Sequence, residues 1–249
     1  MTSYATLAPT VLAKLRVLDT CSVSNAIERT QVRLRNEGFA RGTTRCLLPR
    51  LKPSMLGYAV TAVVRTSAQP VRGGWYYDRI DWWKNFLAVP PPRVMVLQDA
   101  DEVPAFGAFV GAVHANIAAA LDCVGCVTNG AIRDLPALEA LGFYAFAAAL
   151  SPSHAYAHVI EWGAEVEVGG LRISPGELVH GDLHGVQTIP ISIAPELPAI
   201  VEGIDREERE LFALCRSSAF SIDALAEMFT RFRVSASEPT PSRPSGTSS

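Results

Sequence analysis

Between residues 94 and 148, short apolar runs alternate with helical stretches, and no other feature constrains the fold as strongly. Val94 to Leu97, Cys126 to Thr128 and Phe143 to Ala148 read as strands. Phe109 to Leu121 is Ala-rich and reads as a helix. Leu135 to Leu141 reads as a shorter one, with Pro136 in its first turn and Gly142 past its end. Parallel neighbours need a crossover, so this alternation implies βαβ units on a parallel sheet.

The rest of the chain fills out a mixed α/β architecture. Leu12 to Glu28 has helical spacing, with Asp19-Thr20 and Ser22 as points of interruption. Gly57 to Thr66 is rich in Val and Thr and reads as a strand. Trp75 to Phe86 reads as an aromatic helix ended by Pro90-Pro91-Pro92. Glu165 to Val168, Leu171 to Ile173 and Gly185 to Ile189 are β-rich, with Gly169-Gly170 as a hairpin turn, which implies a second, partly antiparallel β layer. Ser174 to Glu177 and His180 to Gly185 read as tight turns. Helices over Asp205 to Cys215 and Ile222 to Arg231 close the domain. The expected organisation is a flexible start over 1–11, a single domain over 12–234 and a Ser/Pro/Thr-rich disordered tail over 235–249.

Composition narrows the function classes. Apolar residues make up 49% of 249, enough for a sizeable core. Lys+Arg 22 against Asp+Glu 25 gives a net charge of −3, with no general pull toward nucleic acid or anionic membrane. No apolar run is long enough to span a bilayer, and the first ten residues lack a secretory pattern. Five scattered cysteines suit reduced thiols, so a cytoplasmic protein is expected. Cys123-Val-Gly-Cys126 reads as two buried thiols around a tight turn, with redox or metal binding as the alternative for a lone CxxC.

Several residues could carry chemistry. Arg133-Asp134 stands at a strand end before a helix, where open α/β sheets bind ligands. Arg can grip a carboxylate with two parallel hydrogen bonds, and Asp can ligate a hard cation; the same pair could merely cap the helix. Gly111-Ala-Val-His114 opens a helix whose amides favour an anion, although every helix start has such amides and an ordinary start explains the segment as well. His154 and His158 are four apart, so a helix would align them as zinc ligands, although no third ligand is evident and structural or substrate-contacting roles are the favoured reading. Asp99 ends a strand. Lysine Schiff-base chemistry has little support, since the only lysines are Lys14, Lys52 and Lys84.

Gly111 to His114, Gly125, Asn129 to Asp134 and Gly170 to Pro190 together resemble one family, in this order and spacing. It contains the 4-hydroxy-4-methyl-2-oxoglutarate/4-carboxy-4-hydroxy-2-oxoadipate aldolases and the regulator of ribonuclease E activity. The resemblance covers roughly residues 12 to 230 and includes Cys21 to Ile27 and Gly57 to Thr61. It implies a β/β/α sandwich of the swivelling-domain type, homotrimers or hexamers, and a site between subunits. It implies that Gly111, Ala112, Val113 and His114 bind a pyruvyl carboxylate through backbone N–H groups. By the same resemblance Arg133 contacts the pyruvyl end, Asp134 binds Mg²⁺ or Mn²⁺, and Asp99 relays protons through a water on the metal. The sequence departs from the family at Ala112, often Glu, at His114, usually apolar, and at Asn129, frequently Asp. The function this implies is a metal-dependent lyase cleaving a C–C bond of a 2-oxo acid, with oxaloacetate decarboxylation as a side activity. The alternatives are a non-catalytic regulator binding a protein such as a ribonuclease, and a zinc hydrolase built on His154 and His158.

Overall fold

The computed structural model describes residues 4–70 and 80–237. The chain divides into two compact units, with the boundary between Pro198 and Ala199. In chain order the first unit runs through α1 (Pro9–Arg16), α2 (Thr20–Thr30), β1 (Arg45–Cys46), β2 (Met55–Arg65), α3 (Ile80–Phe86) and β3 (Arg93–Asp99). It continues with β4 (Ala108–Val110), α4 (Ala112–Ala120), β5 (Cys123–Thr128), β6 (Ala131–Ile132), α5 (Leu135–Leu141), β7 (Tyr144–Ala147) and β8 (Ala149–Leu150). It ends with β9 (His158–Trp162), β10 (Val166–Val168), β11 (Leu171–Ile173), β12 (Leu178–Asp182) and β13 (Gly185–Ile189). The second unit holds most of α6 (Leu197–Cys215) together with α7 (Ile222–Ser237), joined by an Arg231–Glu210 ion pair at 2.8 Å.

The βαβ alternation builds the centre. Strands β2, β3, β5 and β7 are parallel neighbours, and the chain between them passes through α3, α4 and α5. Central β2 pairs with β3 on one side; on the other it pairs with β12 near its start and β9 near its end, both antiparallel. Its burial is therefore nearly continuous, as a strand covered on both faces requires. Residues 38–47 link the two edges of the sheet: Phe39 bridges Gln187 in β13 and Arg45 pairs with Ala147 in β7. The large mixed sheet is nearly closed as a result.

Alternation along each strand sorts the two faces. Ala59, Val94, Val96, Val127 and Phe146 pack against the β10–β11 hairpin through Val166, Val168, Leu171 and Ile173. On β3, Met95 and Leu97 take the opposite face and are fully buried. Helices α4 and α5 pack on β5 and β7. Phe146 is fully buried in the hairpin-side core. Phe146→Ala is expected to cost about 3–5 kcal/mol, read as a lower urea midpoint at unchanged m-value.

The run from 12 to 28 is interrupted at the expected place: it forms two helices, with Asp19 accepting the Ser22 N–H at 2.8 Å and capping α2. The structure revises other local expectations. Phe109 and Val110 belong to strand β4, so the helix begins only at Ala112, after Gly111. Cys123 and Cys126 are buried within strand β5 rather than around a turn. His180 to Asp182 extend β12, and the turn is confined to Leu183-His184. Of the expected aromatic helix, residues 75–79 lie outside the described residues, and the rest forms α3. Helix α7 continues past Arg231 to Ser237, and the remaining tail lies outside the described residues.

Candidate functional site

A second, three-stranded sheet organises the candidate residues. Strands β4, β6 and β8 are parallel, with β6 in the middle. Their carboxyl ends deliver three segments side by side: Gly111 to Val113 after β4, Arg133-Asp134 after β6, and Ser151 to His154 after β8. Backbone bonds hold the ends in register, with Arg133 N–H donating to Val110 O at 2.9 Å and Ser151 N–H to Ile132 O at 3.2 Å. Strands of two or three residues carry too little periodicity to be read from sequence.

Asp134 occupies the N-cap position of α5, yet its side chain makes no capping bond there. Its backbone is left-handed, at φ 60, a conformation Asp tolerates better than most residues. Its Oδ2 instead accepts the Ala112 N–H at 3.0 Å, at the start of α4. Its Oδ1 accepts from Arg133 Nε at 3.3 Å. The Ala112 hydrogen bond and the Arg133 guanidinium hold its carboxyl below the ordinary aspartate range, so it is ionised at neutral pH. Helix capping, the alternative left open for Arg133-Asp134, is thus not what Asp134 does.

Arg133 is also held by the segment after the third strand. Its Nη1 donates to Pro152 O at 2.9 Å, in the segment after β8. Gly111 lies underneath: a Cβ there would sit 2.7 Å from Asp134 Oδ2 and 2.8 Å from Arg133 Cγ. Its backbone is extended, so glycine is required by this close approach and not by φ. Gly111→Ala is expected to displace both side chains and to weaken ligand binding at this site by about 10²-fold while thermal stability changes little, tested by ligand titration beside a melting curve.

The side chains of His114 and Asp99 have their own partners. His114 is 2% exposed and packs against Phe109 and Trp83, at ring-centroid distances of 4.7 and 5.9 Å. Its imidazole faces an aromatic cluster, so only its backbone belongs to the helix start. Asp99 ends β3 of the large sheet and is buried. Its carboxylate accepts from Asp101 N–H at 3.0 Å and Ala105 N–H at 2.8 Å, and Asn129 clamps its backbone. Burial raises its pKa. It shapes the loop over residues 99–105, and no described contact joins it to Arg133-Asp134.

The histidines separate as well. His154 lies in the loop after β8 and His158 in β9, each with Nδ1 on a backbone carbonyl, so they share no helix face. Among the described residues no three His, Cys, Asp or Glu side chains form a metal-binding group. His180 is buried, with Nε2 donating to Leu18 O at 3.2 Å. His184 rests on Asp182, which also accepts from Thr20 at the start of α2. These two belong to the scaffold. His154 lies on the segment after β8 whose Pro152 carbonyl holds Arg133, a placement that the two-residue β8 leaves illegible in the sequence.

A family model, RraA-like (Aldolase/RraA), matches residues 20–187. The chain belongs to the RraA-like family. No curated protein matches it. Solved structures resemble this RraA-like chain in fold. One is an uncharacterized protein from Pseudomonas syringae pv. tomato, at 20% identity and TM-score 0.68, covering 93% of this chain and 98% of that one. Another is RraAS2 from Streptomyces coelicolor, described as an unusual member of the RNase ES inhibitor RraA family. It matches at 22% identity and TM-score 0.64, over 86% of this chain and 100% of that one. The family's description spans aldolases and RraA proteins. Among the described residues no helix is long and apolar enough to cross a membrane.

Proposed function

We propose that this RraA-like protein is a divalent-metal-dependent lyase that breaks a C–C bond of a 2-oxo acid through a pyruvate enolate. One observation carries the reading: three parallel strand ends bring an arginine fork, a helix start and an ionised carboxylate together. Arg133 binds the substrate carboxylate through its planar guanidinium. The first-turn N–H groups of α4, such as that of Val113, have no intrahelical acceptor and face the same negative charge. Both partners stabilise charge that grows as the bond breaks.

Asp134 fits a hard cation. A carboxylate offers about four lone-pair sites, and Ala112 and Arg133 occupy two of Asp134's. One carboxylate completed by water is the kind of donor set Mg²⁺ or Mn²⁺ accepts. When bound, the ion supplies Lewis acidity at the 2-oxo group.

Exposed apolar side chains lie on the segments bearing the site and next to them: Val103, Phe106, Val113, Ile117, Leu150 and Tyr156. They support a site completed by another copy of the chain, in a homotrimer or hexamer. Calorimetric titration with oxalate, a planar mimic of the enolate, tests the reading. Binding in Mg²⁺ that disappears in EDTA and in Asp134→Ala is expected. Absence of binding in every arm would favour a regulator that engages a protein partner, such as a ribonuclease, through the same apolar rim.

A further inference from the structure

We propose that a second anion site, separate from Arg133-Asp134, lies in the cavity between residues 33–41, the start of β11 and the end of β13. Its ligand is a small organic dianion, a phosphate monoester or a dicarboxylate. The cavity measures about 850 Å³, within the ~300–1,000 Å³ of small-molecule pockets. Three guanidinium groups line it, from Arg33 after α2, Arg41 before β1 and Arg172 in β11. Phe39 and Pro190 add apolar surface for the carbon body of a ligand. All of these residues belong to the first unit, and none comes from the ends of β4, β6 or β8.

The arginines are held in place but not neutralised. Arg33 is half-buried, and its Nη1 donates to Thr188 O at 3.0 Å and to Thr188 Oγ1 at 3.2 Å. Its guanidinium lies across Gly38, where a Cβ would overlap it. Arg41 lies in the same way over Gly170, whose φ of 75 and contact with the guanidinium both call for glycine. The Arg41 N–H donates to Gly169 O at 2.8 Å, which ties this residue to the β10–β11 turn. Among the described residues no carboxylate lies within ion-pair distance of Arg33 or Arg41. Arg172 reaches Glu167 at 3.7 Å, but both side chains are well exposed, so this pair is weak.

Glu37 and Glu177 also line the cavity. Their charge acts on Arg33 without an ion pair, and Glu177 is engaged by its own turn, accepting the Ser174 N–H at 2.9 Å. Two guanidinium groups without a carboxylate partner therefore border one concavity, one of them half out of water, where a cation favours a counter-charge. A dianion supplies it. The planar fork of arginine matches the oxygens of a carboxylate or a phosphate with two parallel hydrogen bonds.

Calorimetric titration of the full chain in EDTA with glucose 6-phosphate and with succinate tests the proposal. The proteins compared are the wild type, Arg41→Ala, Arg41→Lys and Arg133→Ala, each beside a melting curve. At least one probe is expected to bind the wild type with Kd of about 1 mM or tighter. Affinity should fall about tenfold or more in Arg41→Ala, recover in part in Arg41→Lys, and persist in Arg133→Ala. Binding of glucose 6-phosphate alone would assign a phosphate ester, and of succinate alone a dicarboxylate. Arg41 is exposed, so its variants should melt like the wild type. No binding of either probe up to about 10 mM would overturn the proposal. Unchanged affinity in Arg41→Ala would overturn it too. Binding lost in Arg133→Ala would place the anion at Arg133-Asp134 or mean general charge attraction, and either result would overturn the second site while leaving the lyase reading standing.

Discussion

Arg133→Ala is expected to lower kcat/KM for a 2-oxo acid by about 10²–10³-fold, with the folded state retained. The guanidinium is held from two sides, by Asp134 Oδ1 at 3.3 Å and Pro152 O at 2.9 Å, so it is aimed before substrate arrives. Pre-aimed donors are worth that much where charge develops. The ion pair itself adds little to stability, because both side chains are about one-third exposed, at 32% and 36%. Arg133→Lys should recover only part of the activity, since an ammonium cannot reproduce the planar fork. Steady-state kinetics beside a urea melt separate the two effects. Activity lost in proportion to stability would contradict a substrate-gripping role.

Lowering the pH from about 7 to 4 is expected to destabilise the fold, mainly through His114 and His180. Both are buried, at 2% and 0% exposure. Burial pushes His114 down to about 3, with a smaller contribution from the charge of His154. Burial also pushes His180 down to about 4, although Asp182, the Leu18 carbonyl and Asp19 favour its charged form. In the unfolded chain both would titrate near the ordinary value of about 6.5. Between the unfolded and folded values the unfolded state binds more protons, so stability falls as pH falls. Each group contributes a slope of up to ~1.4 kcal/mol per pH unit, and the loss levels off below its folded value.

The carboxylates act in a lower window. Asp134 is held down by Ala112 and Arg133. Burial alone would raise Asp182, but hydrogen bonds from Thr20 and His184 lower it overall. The stability these two contribute is lost only as pH falls below about 3.8. Asp99, raised by burial, works in the opposite direction near the same range. Urea midpoints at pH 7, 5.5 and 4.5 for the wild type, His114→Phe and His180→Leu would show the difference. The variants should have flatter pH dependence whatever their stability at pH 7. Unchanged slopes would mean that other groups carry the acid sensitivity.

Much of the main sheet was legible because its strands are long or bounded by clear breakers. The alternation over 94–148 located β3, β5, β7 and the helices between them, and Gly169-Gly170 placed the β10–β11 hairpin. The second sheet was not legible. Strands β6 and β8 have two residues each, and β4 was absorbed into the Ala-rich run that follows it. That sheet creates the site, so Arg133, Asp134 and Gly111 could be named from motifs while their joint geometry could not. The histidines show the converse limit. Spacing paired His154 with His158, whereas the chain turns between them and delivers them to different sheets. His114 was expected to act through its backbone N–H at a helix start, and its side chain faces the aromatic cluster of Trp83 and Phe109.

The central claim is that Arg133 and Asp134 form an enolate-producing site, and pyruvate release tests it most directly. The wild-type protein and Asp134→Ala would be assayed on 4-hydroxy-4-methyl-2-oxoglutarate and oxaloacetate in Mg²⁺, Mn²⁺ or EDTA. Oxaloacetate decarboxylates in metal solution alone, so every rate is taken above an enzyme-free control. The account predicts metal-dependent pyruvate release that EDTA abolishes and Asp134→Ala lowers by at least about 10²-fold. Turnover that persists in EDTA or survives in Asp134→Ala would contradict it.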